Sequence, residues 1–316
     1  MKRIAFLDTV HAVLWDRLTQ AGCACEHAEN LTREEILTGA LADHVGIVLR
    51  SRLTLDAAIM DAMPRLKWIA RSGAGLDNID IETAEIRGIH VFSSPEGNAT
   101  AVGEHAIGQL LMLLHQLAEA DRHVRSGGWD REAHRGIELE ARTVGIIGFG
   151  NMGQSFAKRL MGFGCRVLVY DKYLSKFNGQ YGVQEVDMKR LNNEADIISL
   201  HVPLTSETQG MVNDQWISQF KKTFHLVNTA RGEIVDTGAV LDALDRGQLL
   251  GAALDVLEFE KRSLEGLAQR PVLLDRLLKH PRTILSPHVA GWTTESYFKL
   301  SNVLADKILP FTKKNP

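Results

Sequence analysis

The sequence predicts an α/β protein built from doubly wound parallel sheets, and three observations carry that prediction. Short apolar strands alternate with amphipathic helical stretches through the N-terminal third of the chain, and the alternation resumes after Thr143. A glycine-rich turn, Gly148-Phe149-Gly150-Asn151-Met152-Gly153, joins a strand to a helix. At 316 residues the chain is long enough for two domains, each able to bury its own core. Repeated β–α alternation puts helices on both faces of a parallel sheet, and such sheets bind ligands at the carboxyl ends of their strands.

Taken in order, strands are predicted at 3–7, 23–27, 46–49, 67–70 and 90–92, with helices at 13–18, 33–40 and 55–63 between them. Two loops at carboxyl ends draw the eye. Arg50-Ser51-Arg52 follows the third strand and Arg71-Ser72-Gly73-Ala74-Gly75 the fourth. Small residues after Arg71 expose backbone N–H groups, which suits an anion. Arginine suits phosphate, because its planar fork donates two parallel hydrogen bonds. The competing reading pairs these arginines with Asp77, Asp80 or Glu96. Ser94-Pro95-Glu96-Gly97-Asn98 reads as a linker before a long helix that starts near Ala101 and ends at Arg125-Ser126-Gly127-Gly128-Trp129. His105, Ile107, Leu110, Leu111, Leu113 and Leu114 make that helix apolar around most of its girth, as expected of one buried between domains or subunits.

The stretch from Thr143 to Asp171 organises the rest. Val144, Ile146 and Ile147 form a strand that stops at Gly148, while Met152, Phe156, Leu160 and Phe163 follow at helical spacing. A second strand at 166–170 ends in Asp171. Gly148 permits the tight turn, Gly150 lets backbone approach a pyrophosphate, and Gly153 lets the helix pack close to the strand. The helix N-terminus offers unpaired N–H groups to phosphate. Asp171 is placed to accept from a ribose 2′-hydroxyl and to repel a 2′-phosphate, with Lys172 and Lys176 softening the repulsion. This is a dinucleotide site, and NAD is the expected cofactor.

Further strands are predicted at 195–200, 223–227, 250–254 and 282–285, each followed by a polar loop. These loops are His201-Val202-Pro203-Leu204-Thr205, Asn228-Thr229-Ala230-Arg231-Gly232, Asp255 to Glu260, and Ser286 to Gly291. A last helix spans 294–309. Arg231, Glu260 and His288 are the chemically capable groups among them. Reducing a ketone by hydride needs a cation at the carbonyl or carboxylate and a proton donor for the alkoxide. Imidazole does the second job near neutral pH, and a neighbouring carboxylate favours its protonated form and fixes the ring.

Composition narrows the alternatives. The formal net charge of −3 argues against nucleic acid as a partner and offers no cationic face to a membrane. Cys23, Cys25 and Cys165 form no paired framework and no metal-ligand set, so they read as reduced, buried thiols and no metal is expected. The apolar run in MKRIAFLD is too short for a signal peptide, and Gln109, His115 and Gln116 interrupt the most apolar helix. A cytoplasmic protein is expected.

TVGIIGFGNMG, HVPLTSETQGMVN, NTARGEIVD, AALDV and SPHVAGWT, with the Arg71–Asn78 loop before them, resemble the D-isomer-specific 2-hydroxyacid dehydrogenase family in order and spacing. The likeness runs almost the whole chain. It implies a flavodoxin-like substrate domain from both chain ends (1–97 and 289–316) with a Rossmann domain (98–288) inserted. It further implies that Arg231 binds the substrate's carboxylate and carbonyl, that His288 is the acid/base, and that Glu260 is its partner. Arg50, Ser51, Arg71 and the Ser72, Gly73 and Ala74 amides would complete the substrate site. Gly148, Gly150, Asn151, Met152, Gly153, Asp171, His201, Val202, Pro203, Thr208, Thr229, Ala230, Asp255, His288 and Gly291 would contact the nucleotide, Asp255 at the nicotinamide carboxamide. A homodimer through the nucleotide domain is implied as well.

The family usually has proline after the position of Glu260; here Lys261 follows, then a long segment at 262–280, so Glu258 stands as a substitute. Arg50-Ser51 and Arg71 resemble phosphoglycerate dehydrogenase-like members, which implies a phosphorylated substrate and a step in serine biosynthesis. With the chain ending at Pro316, no C-terminal regulatory domain or serine feedback through one is expected. Glyoxylate/hydroxypyruvate reduction is the nearest alternative, and an NAD-sensing corepressor is the alternative of another class.

Overall fold

A computed structural model describes residues 1–260 and 271–314. The chain divides into two compact units, Met1–Ala99 with Trp292–Pro316, and Thr100–Gly291. The boundaries expected from sequence lie at 97/98 and 288/289. Residues 289 and 290 fall with the second unit because their amides bind the Asp255 carboxylate.

In the first unit β1 (Lys2–Phe6), α1 (Ala12–Gln20), β2 (Cys23–His27), α2 (Arg33–Leu37) and β3 (Gly46–Leu49) lead to α3 (Ala57–Asp61). Then come β4 (Trp68–Arg71), α4 (Ile81–Ile86) and β5 (His90–Ser93). The sheet runs β2-β1-β3-β4-β5, all parallel, which is the flavodoxin-like order. Apolar clusters cover both faces, one centred on Ile36, Ile47 and Ile59, the other on Leu14, Leu18 and Trp68. Strands buried on both sides read as continuous apolar runs, which is why they were legible.

The expected linker at 94–98 is instead helix: α5 spans Pro95–Leu114. Proline at the first helical position costs no hydrogen bond, and Glu96 in the first turn suits the helix dipole, so Pro95 here starts a helix. The single long helix expected to reach Arg125 is also broken. Gln116 takes a left-handed φ of 52°, and α6 (Leu117–Arg125) follows with no buried residue.

The second unit continues with β6 (Thr143–Ile147), α7 (Asn151–Leu160), β7 (Arg166–Tyr170), β8 (Gln184–Glu185), α8 (Met188–Glu194) and β9 (Ile197–Leu200). After these come α9 (Asp214–Ile217), β10 (Phe224–Asn228), α10 (Thr237–Asp245), β11 (Leu249–Leu254), α11 (Val272–Lys279) and β12 (Thr283–Leu285). The order β12-β11-β10-β9-β6-β7-β8 is all parallel and reverses at β6, the Rossmann arrangement. α11 falls in the long segment noted at 262–280. Leu274 and Leu277 bury its apolar face; residues 261–270 lie outside the described residues. The last helix, α12 (Thr294–Lys314), packs on α1 in the first unit.

The three cysteines are free, Cys23 buried and Cys25 and Cys165 half-buried, and burial pushes all three thiols up. Among the described residues no helix is long and apolar enough to cross a membrane.

Candidate active site

The glycine turn has the mechanics its sequence implies. Gly148 adopts φ +93°, donates to Tyr170 O at 2.9 Å, and would bring a Cβ within 2.5 Å of His201 O. Gly153 presses against the turn so closely that a Cβ would lie 2.0 Å from Gly148 O. A Cβ on Gly150 would meet nothing within 4 Å, and no side chain caps α7. Open space therefore lies before a row of unpaired N–H groups at the start of α7, from exposed Asn151 and half-buried Met152 among others, which fits a pyrophosphate.

Asp171 ties the turn to the end of β7. Its carboxylate accepts from Phe149 N at 2.7 Å and from Tyr173 N and Leu174 N at 2.8 Å. A carboxylate has about four lone-pair sites, so acceptor capacity remains for a ribose hydroxyl. The residues present fit a dinucleotide.

Two residues expected at the nucleotide, His201 and Thr208, have their side chains engaged within the protein. The His201 side chain turns inward, bonds Ser199 Oγ at 2.8 Å and is held neutral, its pKa pushed down to about 3 by burial. Only its backbone reaches the turn, beneath Gly148. Thr208 Oγ1 closes a loop by donating to Pro203 O at 2.6 Å and accepting from Thr205 N at 2.8 Å, so it shapes the Val202–Pro203 segment. Thr229, beside buried Ala230, keeps a buried hydroxyl with no hydrogen-bond partner among the described residues.

Asp255 is the centre of a second buried cluster. It is fully buried, and its carboxylate accepts from the Ser286 hydroxyl, from Val289 N at 2.9 Å and from Ala290 N at 2.8 Å. His105 Nε2 and Gln109 Nε2 reach the same Ser286 oxygen at 2.9 Å, so α5 buttresses the cluster. With three donors on its carboxylate and no exposed surface, Asp255 folds the 286–290 loop onto itself. His288 sits in that loop with a left-handed φ of 54° and donates its amide to Asp255 O at 2.8 Å. Such a backbone costs a non-glycine residue energy, and the Asp255 bonds hold it in place.

The acid/base pair follows from that fold. His288 Nδ1 lies 2.8 Å from Glu260 Oε2, and the other Glu260 oxygen accepts from Leu257 N at 2.9 Å. Glu260, rather than Glu258, is thus the partner, despite Lys261. The ring is half exposed (51%) while Glu260 is more enclosed (23%). Arg231 leaves β10, held by a turn in which Asn228 accepts from Ala230 N at 3.0 Å and donates to Arg231 O at 2.9 Å. Because β10, β11 and β12 are parallel neighbours, Arg231, Glu260 and His288 share one sheet edge. Gly291 closes this unit.

In the first unit, Asp8 engages the amides of the 50–52 loop. Its Oδ2 accepts from Arg50 N, Ser51 N and Arg52 N at 2.6, 3.1 and 3.3 Å. The Arg50 carbonyl is pinned by Arg71 Nε at 3.0 Å and Asn78 Nδ2 at 3.3 Å. Arg52 spends its guanidinium on the carbonyls of Leu7, Leu31 and Ala28. Neither Asp80, which caps α4, nor Glu96, which pairs with Lys307, holds these arginines. The Ser72 and Gly73 amides donate to Leu49 O and Arg71 O, so of the three expected donors Ala74 alone keeps an amide without an acceptor among the described hydrogen bonds. Arg50 is distinct: its guanidinium lies 4.1 Å over the Trp292 ring, and burial lowers its pKa. Asp8, Asn228 and Ser286 were not singled out in the sequence, since each is an ordinary polar residue until its partners fold around it.

A parallel sheet with a glycine-rich turn, an acid at the next strand end and a histidine–carboxylate pair defines an NAD-binding α/β protein of the oxidoreductase type. Residues 107–290 match the NAD-binding domain of the D-isomer-specific 2-hydroxyacid dehydrogenases, and the chain belongs to that family. It is 36% identical over 302 residues to D-3-phosphoglycerate dehydrogenase of Archaeoglobus fulgidus, covering 95% of this chain and 55% of that one. It thus spans little more than half the length of that relative. Hydroxypyruvate reductase of Thermotoga maritima is 36% identical over 281 residues, covering 89% of each chain. The structure of D-lactate dehydrogenase from Aquifex aeolicus, complexed with NAD and lactic acid, superposes with a TM-score of 0.84 at 27% identity, covering 99% of this chain and 96% of that one.

Proposed function

We propose that this protein interconverts a small D-2-hydroxy acid and its 2-keto acid with NAD, and that the acid carries a phosphate, as in 3-phosphoglycerate and phosphohydroxypyruvate. The observation that carries the reading is the His288–Glu260 pair at 2.8 Å on the sheet edge that also bears Arg231. When bound, the nicotinamide supplies or takes the hydride. His288, gripped at Nδ1, presents Nε2 to give a proton to the nascent alkoxide, or to take one from the hydroxyl in the reverse direction. Glu260 orients the ring and balances its positive charge. Arg231 holds the carboxylate and polarises the carbonyl, lowering the cost of charge that develops on oxygen.

The first unit serves as the substrate domain and the second as the nucleotide domain. Arg50, with no side-chain hydrogen bond among the described residues, is the guanidinium offered to a phosphate. Arg50→Ala should raise KM for phosphohydroxypyruvate much more than for hydroxypyruvate. Equal effects, or a wild-type enzyme indifferent to the phosphate, would end the phosphorylated-substrate reading. Hydroxypyruvate reduction is the second reading, favoured by the match to the Thermotoga maritima reductase over 89% of each chain. NADH oxidation against a panel of 2-keto acids separates the two. A cytoplasmic homodimer through the nucleotide domain completes the proposal; α6 has no buried residue, and Leu117, Val124 and Trp129 are exposed on it and after it.

A further inference from the structure

We propose that Glu207 is a determinant of nucleotide choice, acting by holding Lys172 in an ion pair so that it is not offered to a 2′-phosphate beside Asp171. Lys172 directly follows the ribose acid. Its Nζ lies 2.6 Å from Glu207 Oε2, and the Tyr173 hydroxyl donates to the same oxygen at 2.8 Å. Lys172 also lies 5.5 Å over the Tyr173 ring, so three side chains form one cluster. Glu207 is presented by the 203–208 turn after β9, whose shape Thr208 fixes through Pro203 O and Thr205 N. Lys172 is raised chiefly by its hydrogen bond to Glu207, and Glu207 is lowered chiefly by Lys172.

The chemistry follows from charge. A 2′-phosphate needs a cation close to the end of β7, since Asp171 alone repels it. Lys172 is the cation next in sequence, but its counter-charge is supplied by Glu207. That glutamate also adds a second carboxylate to the neighbourhood of Asp171. Discrimination is therefore shared between the acid that binds the ribose and a residue on a different loop.

The inference rests on the nucleotide reading of the glycine turn and Asp171, and calorimetry on the full chain separates the two. The probes are 5′-AMP and 2′,5′-ADP, and the readout is the ratio of their affinities. Failure of 5′-AMP to bind wild type at all would remove the nucleotide reading and this inference with it. Glu207→Ala should shift the ratio toward 2′,5′-ADP by about two- to fivefold, the scale of exposed ion pairs. Lys172→Ala should leave the ratio near wild type on its own, and should cancel the gain in the Glu207→Ala background. An unchanged ratio in Glu207→Ala overturns the inference. So does an equal effect of Lys172→Ala in both backgrounds, or a gain that survives the double substitution.

Discussion

Replacing Asp255 by asparagine separates the role its sequence suggests from the role its surroundings give it. The residue is fully buried and accepts from Ser286 Oγ, Val289 N and Ala290 N. An asparagine has one acceptor oxygen. Placed to keep Ser286 and Val289, it turns its NH2 toward the Ala290 amide, which then sits 2.8 Å from a donor. Losing one charge-assisted bond and burying one unsatisfied amide costs about 2–4 kcal/mol. For a unit of this size that lowers the melting temperature by about 4–16 °C. The same change loosens the amide bond that sets His288 in its left-handed conformation, so kcat should fall with it. Thermal melts, NADH titration and steady-state kinetics on one preparation give the answer. A variant as stable as wild type but tenfold weaker for NADH would refute the structural role and point to a nicotinamide contact.

His288→Ala should cut kcat for ketone reduction by about 10²–10⁴-fold, and near-wild-type turnover would assign the proton elsewhere. Glu260→Gln removes the carboxylate that fixes the ring at Nδ1, so kcat for reduction should fall while NADH affinity holds; unchanged turnover would show that the pair does not position the ring. His201 and His225, buried neutral with pKa values pushed down to about 3 and about 4, take up protons on unfolding. Their contribution is complete above the ordinary histidine value near 6.5 and is lost as pH falls toward those folded values, by about 1.4 kcal/mol per unit for each. Urea melts between pH 7 and 4 should show that slope, and His225→Phe should reduce it; a flat profile would show that neither ring is buried neutral.

The central strands were readable because each carries an apolar run, whereas β8, only Gln184–Glu185, carries none and was not anticipated; Gly148, Gly153 and Asp171 were readable because local geometry alone dictates them. His288 and Glu260 were legible as chemistry, their pairing as a consequence of the strand order. What sequence could not convey depends on distant packing. Asp255 lies 31 positions from Ser286, and nothing in AALDV says that the later loop folds onto its carboxylate. Asp8 is 42 positions from Arg50, so its occupation of the amide nest has no local signature. Pro95 misled because proline is punctuation in a loop and an initiator in a helix, and Gly97 because its place is set by packing, a Cβ there falling 2.7 Å from Leu300 Cα.

The main chain at residue 50 is clamped on both sides, by Asp8 at the amide and by Arg71 and Asn78 at the carbonyl. None of those bonds involves the residue's own side chain. The position therefore behaves as a socket: the backbone is set during folding, and whatever side chain is plugged in is aimed without help from ligand. A substitution at this position exchanges the side chain while every bond of the clamp stays in place.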